Sequence, residues 1–211
     1  MSGTSRKQRE FVRREQDILD TALRLFDQEN WQAVSIETIA NTLGIAKGTI
    51  YNHFDSKDEI YARLALTFFQ MENAKLQHLR HRNADPVAQV KDILRIFWER
   101  VEAPPQMQRL VQYVWRKDFL ERLRPETRAL LQETDHVVNQ TIAAIAAEGV
   151  EAGMFLDKPL PLLLFPAQAT LAGALQLAFN GYIPDNDKNA ALEALTGAVL
   201  AGLTCSQTTT D

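Results

Sequence analysis

Apolar and polar positions follow helical spacing in a short segment near the N-terminus. Four apolar residues lie at i, i+3, i+4 and i+7, the period of one helix face, namely Ile36, Ile39, Ala40 and Leu43. Ser35 stands where a hydroxyl caps a first turn, and Gly44 stands where a left-handed glycine ends a helix. Ile50 and Phe54 then repeat at i, i+4. The pattern predicts a helix, a tight glycine turn and a second helix.

The second helix presents a small polar face when its apolar side packs inward. An advance of about 100° per residue turns Gly48, Thr49 and Asn52 outward. Asparagine can pair with adenine, a threonine methyl can contact the thymine methyl, and Lys47 can take a phosphate. The same pattern also suits a helical hairpin of an ordinary all-α domain whose polar face meets water. The residues alone leave both interpretations open.

The run GIAKGTIYNHF at residues 44–54, with Ser35 before it and Lys57 after it, resembles the DNA-binding signature of TetR-type transcriptional regulators. The resemblance implies that one group of side chains approaches bases and nearby phosphates: Lys47, Gly48, Thr49, Tyr51 and Asn52. It implies that a second group holds the DNA backbone: Ser35, His53 and Lys57. Ala46 stands where many members of the family carry serine, so the recognition helix lacks that N-cap hydroxyl.

Helical patterns separated by proline and glycine breaks continue to the end of the chain. About nine helices and no convincing strand predict an all-α fold. The first helix is expected at about 10–30, a long connecting helix at 58–81, and the last two helices at about 161–181 and 187–205. With the resemblance, this order predicts a helix-turn-helix DNA-binding domain at 12–72, its motif at 35–54, an effector-binding and dimerisation domain at 73–205, and flexible tails at 1–11 and 206–211.

The middle helices carry mostly apolar residues with a few hydroxyls, a composition typical of small-molecule sites. Each of these residues is explained equally well as core at helical spacing. The candidates for an effector pocket are Phe68, Phe97, Val101, Leu110, Val114, Trp115, Thr134 and Thr141.

The last two helices are rich in alanine, leucine and glycine, and they hold more apolar surface than one layer of helices hides, which predicts a partner subunit. The candidate interface residues are Ala169, Gly173, Ala174, Leu195, Val199 and Gly202. The resemblance implies a four-helix bundle between two-fold mates. Two recognition helices would then lie roughly 34 Å apart over an inverted repeat. A monomer with a well-filled core is the alternative.

The segment between Lys158 and Asp185 carries no charge and is long enough to span a bilayer. Two prolines, Pro161 and Pro166, and several side-chain amides oppose that interpretation, because lipid cannot satisfy them. A helix that protein covers on most sides explains the same composition, so we expect no membrane contact.

Charge and cysteine usage add little to this picture. The net charge is −4, so the overall charge does not indicate nucleic-acid binding. The first fourteen residues are locally basic, with Arg6, Lys7, Arg9, Arg13 and Arg14 against Glu10 alone. That segment is either an arm for DNA or a solubilising tail. The single cysteine, Cys205, cannot form an internal disulfide.

Catalytic and metal-binding signals are weak. The chain has no G-x-S-x-G run, no Walker A run and no cysteine or histidine cluster with zinc-site spacing. His78 and His81 lie one helical turn apart but are flanked by polar residues typical of a solvated face. We therefore expect no enzyme activity, no cofactor and no metal. A secretory signal is also missing from the N-terminus, which favours the cytoplasm.

The sequence supports one functional hypothesis above the others: a homodimeric, sequence-specific DNA-binding regulator. We expect a repressor that a small apolar or amphipathic effector releases from an inverted-repeat operator. Effector binding among the middle helices would displace the 58–81 helix. A regulator of the same fold without an effector, and a membrane-associated helical protein, are the alternatives.

Overall fold

The computed structural model describes residues 6–26, 33–80 and 85–204. Within these ranges the chain forms ten α-helices, one 3₁₀ turn at Asp185–Asp187 and no strand. The helices are α1 Arg6–Phe26, α2 Ile36–Leu43, α3 Lys47–Tyr51, α4 Lys57–Arg80, α5 Pro86–Glu102, α6 Pro105–Val114, α7 Lys117–Leu120, α8 Pro125–Glu151, α9 Leu160–Phe179 and α10 Lys188–Leu203. The predicted all-α fold is confirmed.

The additional helix relative to the sequence-based estimate is α7. Trp115 ends α6 with φ −89° and ψ 0°, and Arg116 then has the extended values φ −70° and ψ 135°. The chain restarts in a single helical turn, in which Phe119 is buried. A four-residue helix is too short to produce a periodic signal, so the sequence did not reveal it.

Local capping chemistry sets the start of α5. Asp85 accepts a hydrogen bond from the Ala88 backbone N–H at 3.0 Å, and Pro86 occupies the first helical position of α5. At the N-terminus, α1 begins at Arg6, so residues 6–11 are helical although they were predicted to belong to a flexible tail. Residues 1–5, 27–32, 81–84 and 205–211 lie outside the described residues, and with them the end of the predicted first helix, His81, Cys205 and the C-terminal tail.

The chain divides into two compact units rather than at a single point near residue 72. Unit 1 contains Met1–Phe68 and Pro104–Gln132, and unit 2 contains Phe69–Ala103 and Glu133–Asp211. The division passes through α4 and α8, each of which therefore belongs to both units. Helices α6 and α7 and the first turns of α8 belong with the N-terminal helices, an arrangement that depends on packing between residues distant in sequence.

Unit 1 is built around buried aromatic and aliphatic side chains. The ring of Tyr61 on α4 lies 4.2 Å from that of Phe26 on α1 and 6.2 Å from that of Tyr113 on α6, between ring centroids. Burial raises the pKa of the Tyr61 hydroxyl above its usual value, with Asp58 adding to the effect. These contacts join α1, α4 and α6, so α6 forms part of the support for the N-terminal helices.

Unit 2 packs α5, α9 and α10 around an apolar core, with Trp98, Phe155 and Leu163 among its buried residues. The turn after α8 shows why one glycine is required. A Cβ atom at Gly149 would lie 2.1 Å from the Phe155 ring, and the Phe155 N–H donates to the Gly149 carbonyl at 3.0 Å. The chain reverses tightly here, and the buried ring takes the space that a side chain would need.

Candidate nucleic-acid interface

Helix α2 and the turn after it have the geometry that the sequence predicted. The Ser35 hydroxyl oxygen accepts a hydrogen bond from the Thr38 backbone N–H at 3.0 Å. Gly44 has φ +65° and ψ 33°, the left-handed conformation, and its N–H donates to the Asn41 carbonyl at 3.1 Å. An L-residue other than glycine pays a steric penalty at this φ. The serine cap and the glycine stop are therefore both confirmed.

Helix α3 is short, and its apolar side is buried. Ile50 is fully buried and Phe54 nearly so, although regular helix ends at Tyr51. The Phe54 N–H still donates to the Ile50 carbonyl at 2.9 Å, so one further turn carries Phe54 into the core of unit 1. Ala46 provides no side-chain cap, as its residue type implies. The opposite face of α3 is thereby held outward.

Four of the eight predicted DNA-binding residues line one open groove of about 370 Å³. These four are Ser35, Lys47, Tyr51 and Lys57. Tyr51 is 46% exposed although it is a large aromatic residue. The Lys57 ammonium lies 5.5 Å from the centroid of the Tyr61 ring, and desolvation lowers its pKa from the ordinary lysine value. Two cations, a hydroxyl and an aromatic ring thus meet at one exposed surface, whose lining also includes the carboxylate of Glu37.

The outward face of α3 adds small and polar groups beside this groove. Gly48 and Asn52 are exposed, and Thr49 is half-buried. A Cβ atom built at Gly48 meets no atom within 4 Å, so the space in front of the helix is open. No acidic residue occurs between residues 44 and 54. The surface can therefore approach a polyanion without like-charge repulsion from its own segment.

His53 lies elsewhere, against α1. Its ring centroid is 4.1 Å from that of Phe11, with an angle of 30° between the ring planes. It lines a separate pocket that also includes Glu15 and Arg63, and its Nδ1 atom is buried without a hydrogen-bond partner among the described residues. Desolvation lowers the pKa of His53, Glu15 raises it, and Arg14 lowers it. The structure thus places His53 apart from the other predicted DNA-binding residues.

A buried carboxylate lies just beyond the recognition helix, and sequence reasoning missed its role. Glu59, in the first turn of α4, is only 3% exposed. Its carboxylate accepts hydrogen bonds from the Arg124 backbone N–H at 2.7 Å and from the Thr127 hydroxyl at 2.5 Å. The Glu59 N–H donates to the Ser56 hydroxyl oxygen at 3.2 Å, so Ser56 caps the start of α4. The carboxylate itself is directed to the N-terminus of α8, where the helix dipole favours an anion.

A second set of hydrogen bonds in unit 1, made by Arg122, also connects the start of α4 to the segment before α8. The Arg122 guanidinium donates to the Asp58 carboxylate at 2.7 Å and to the Tyr113 hydroxyl at 2.9 Å. It also donates to the Asp118 carbonyl at 2.7 Å. One arginine therefore connects α4, α6 and α7. Charged residues 64 positions apart give no sequence signal for such a link.

The eight predicted effector residues do not share one pocket within either unit. Unit 1 contains Phe68, Leu110, Val114 and Trp115, whereas unit 2 contains Phe97, Val101, Thr134 and Thr141. Leu110, Val114 and Val101 are core residues. The Thr141 hydroxyl donates to the Val137 carbonyl at 2.9 Å and accepts from the Gln77 amide at 2.8 Å, so its hydrogen bonds are used internally. Phe97 alone of the eight lines an apolar cavity described for unit 2.

The predicted interface residues divide in two. Ala169, Gly173 and Gly202 are exposed, and Ala174 is half-buried. Leu195 and Val199 are only 5% and 3% exposed and belong to the core of unit 2, so these two predicted contacts need correction. They share a face of α10 with the buried Leu203. Periodicity identified this apolar face but could not determine that the protomer itself buries it.

Helix α9 presents a second apolar face outward. Leu162 and Phe165 are 67% and 68% exposed. The helix Leu160–Phe179 is long and apolar enough to cross a membrane by length and composition only. An 18-residue stretch of it has a mean hydropathy of 1.5, and 11% of that stretch is buried. The protomer therefore does not cover this helix on most sides, in contrast to the expectation from the sequence. The exposed face is an apolar patch of the kind that marks an interaction surface.

A serine-capped helix, a left-handed glycine turn and a second helix with an open polar face define a helix-turn-helix DNA-binding domain. Residues 18–64 match the family model described as bacterial regulatory proteins, tetR family. Residues 18–64 are therefore similar to the DNA-binding domain of this family, and the relatives that the chain matches are transcriptional regulators.

Curated relatives belong to the same class of protein, and a solved structure shares the fold. The chain is 28% identical over 103 residues to the HTH-type transcriptional regulator AcrR of Shigella flexneri, which covers 48% of each chain, so it spans about half the length of that relative. It is 23% identical over 140 residues to the HTH-type transcriptional repressor KstR2 of Mycobacterium tuberculosis, covering 66% of this chain and 68% of the repressor. A transcriptional regulator from Saccharomonospora viridis, solved with choline, has the same fold, with a TM-score of 0.74, 21% identity, and coverage of 92% of this chain and 100% of the other.

Proposed function

We propose that this regulator is a homodimeric repressor that binds an inverted-repeat operator and is released by a small-molecule effector. The observation that carries the proposal is the groove that collects Lys47, Tyr51 and Lys57 beside the open face of α3. Lysines bind phosphates and so position the domain, whereas tyrosine and small polar side chains contact base edges. A chain with net charge −4 needs such a local cationic surface to approach DNA.

Within this proposal the residues of the interface have separate roles. Thr49, Tyr51 and Asn52 contact bases, and Gly48 lets the backbone come close. Lys47, Ser35 and Lys57 contact phosphates from both sides of the groove. His53, which packs on Phe11, contributes by holding α1 against the recognition helix rather than by a direct contact.

The dimer is proposed from the outward apolar face of α9. Large side chains such as Leu162 and Phe165 are exposed there, next to the small residues Ala169 and Gly173. Small residues allow helices to approach closely, and a two-fold interface uses the same patch twice. This face replaces Leu195 and Val199 as the proposed contact. If a second copy covers α9, the apolar composition of this helix is explained without a membrane. We therefore propose a cytoplasmic regulator that is not an enzyme.

Release by an effector is proposed because one relative is a repressor and a regulator of the same fold was solved with a small molecule. KstR2 is a repressor, and the Saccharomonospora viridis regulator was solved with choline. An effector weakens DNA binding only through its different affinity for two conformations, a coupling of about 1 to 3 kcal/mol. We propose that α4, which begins next to α3 and continues into unit 2, carries this change to the recognition helix.

The proposal is tested by selection of random duplex DNA with the purified full chain, followed by sequencing of the bound pool. We expect an inverted repeat whose half-sites are about one DNA turn apart. Tyr51→Ala and Thr49→Ala should lose or change the motif. Gln112→Ala, which removes an exposed polar side chain of α6, should keep it. No enriched motif, or one that both interface variants leave unchanged, would refute the proposed role of α3.

A further inference from the structure

Unit 2 contains a small, partly open apolar cavity lined by residues of α5, α8, α9 and α10. Its volume is about 60 Å³. Eleven residues line it, and ten of them are apolar, including Ile93, Phe97 and Leu171. The remaining residue, Gln168, is an exposed side chain of α9. The cavity thus has an apolar interior and one hydrogen-bonding group toward solvent.

Among the described residues, no charged side chain lines this cavity. An ion pair lies beside its Phe97 wall. The Arg100 guanidinium lies 4.8 Å from the Phe97 ring centroid and donates two hydrogen bonds of 2.8 Å to the carboxylate of Glu72. An ion placed inside would meet neither a counter-ion nor a polar ligand, and burial of an unpaired charge is strongly unfavourable. The enclosed part of any ligand must therefore be uncharged.

The size of the cavity separates chains from rings. An apolar cavity that binds benzene measures about 150 Å³, more than twice the volume of this one. A ring would have to displace well-packed walls, which costs energy in a close-packed interior. A volume of about 60 Å³ holds a few methylene groups of an unbranched chain, so a short aliphatic segment fits where a ring does not. Gln168 offers both amide N–H donors and a carbonyl acceptor to the polar end of such a chain.

We propose that this cavity binds a short unbranched aliphatic segment of an amphiphile whose polar head is held by Gln168 at the solvent-facing side. The inference rests on the proposed function, since it assigns the effector site of a ligand-responsive regulator. The proposed effector site is therefore this cavity, between α9 and the helices α5, α8 and α10, and not the set of residues predicted from the sequence. Phe97 was predicted as an effector residue and lines this cavity. Val199 was predicted as an interface residue and also lines it.

The first test is calorimetric titration of the full chain, without DNA, with butanamide, hexanamide and octanamide. Each buried methylene should raise the affinity about fourfold until the cavity is full. Benzamide serves as the probe of shape and should bind at least about tenfold more weakly than octanamide. Affinity that does not depend on chain length, or equal binding of benzamide and octanamide, would overturn the proposal.

The second test places substitutions in the cavity. Ala167→Leu fills its interior and should reduce octanamide affinity at least about tenfold, while Ala129→Leu, an exposed position of α8, should leave it unchanged. Thermal melting checks that the variant folds. Leu171→Phe fills the same cavity from another position on α9 and replaces Ala167→Leu if that variant does not fold.

The polar head is tested by Gln168→Leu, with Gln176→Leu at another exposed glutamine of α9 as control. Only Gln168→Leu should weaken octanamide binding. Unchanged octanamide binding in Gln168→Leu would contradict the assigned head group. Operator selection by the unliganded chain is measured in parallel. Selection of an inverted repeat without amide binding would refute this inference alone, whereas amide binding without selection would refute the proposed function alone.

Discussion

The carboxylate of Glu59 accepts a hydrogen bond of 2.7 Å from the backbone N–H of Arg124, 65 residues further along the chain. This contact joins the first turn of α4, directly after the recognition helix, to the N-terminus of α8. Helix α8 then continues to Glu151 and belongs to both compact units. A shift of α8 would therefore act on the start of α4 through a buried, hydrogen-bonded carboxylate.

Removal of this carboxylate should destabilise the protein. Glu59→Ala leaves the Arg124 N–H and the Thr127 hydroxyl without their acceptor in a buried place, which should lower the free energy of unfolding by about 2 kcal/mol. Glu59→Gln keeps an acceptor oxygen and should lose less. Chemical denaturation measures both, with Glu193→Ala, an exposed glutamate of α10, as the control. Equal stability of Glu59→Ala and wild type would show that the contact does not hold the two helices.

Two glycines of the helix-turn-helix should respond in opposite ways to the same substitution. Gly44→Ala places a side chain at φ +65° and should cost about 1 to 2 kcal/mol of stability. Gly48→Ala adds a methyl group in open space within a helix and should raise stability by about 0.5 kcal/mol. If the face of α3 meets DNA, Gly48→Ala should nevertheless weaken operator binding. Thermal melting and a DNA titration on both variants separate the two effects, and unchanged DNA binding by Gly48→Ala would argue against close backbone approach.

The proposed dimer face can be disrupted without touching the core. Phe165 is 68% exposed, so Phe165→Glu should leave the protomer folded but place two carboxylates in the two-fold interface. We expect a monomer in analytical ultracentrifugation. We also expect a fall in operator affinity of about 100-fold or more, because the two half-sites are no longer bound together. Met71→Glu, at an exposed apolar residue of α4, is the control and should remain dimeric. A dimeric Phe165→Glu would exclude this face.

Stability should fall as the pH is lowered through the range in which His53 titrates. Desolvation lowers the pKa of His53 in the folded protein below its ordinary value of 6.5. The unfolded chain then binds the proton more readily, so acidification below about pH 6.5 favours unfolding, and the effect is absent well above that pH. His53→Phe should remove this part of the pH dependence while keeping an aromatic ring beside Phe11. His136→Gln, at an exposed histidine of α8, should retain it. Denaturation curves between pH 5 and 8 distinguish the two variants.

Features that depend on neighbours a few residues away could be predicted from the sequence. Ser35 caps α2 through Thr38, Gly44 ends it, and Asp85 opens α5 through Ala88. Each of these features follows from the hydrogen bonding and backbone preferences of one short segment. The segment from Gly44 to Phe54 predicted a glycine turn and a second helix for the same reason, whereas the class of protein came from the resemblance of that segment to a known family.

Only the tertiary structure decided which distant segments meet. It placed α6 and α7 with the N-terminal helices and directed Glu59 to α8. It also buried Leu195 and Val199 inside the protomer while leaving Phe165 outside. Helical periodicity locates an apolar face, but the hydrophobic effect is non-directional and does not specify which partner covers that face. The choice depends on how all the helices pack together, which no local pattern contains.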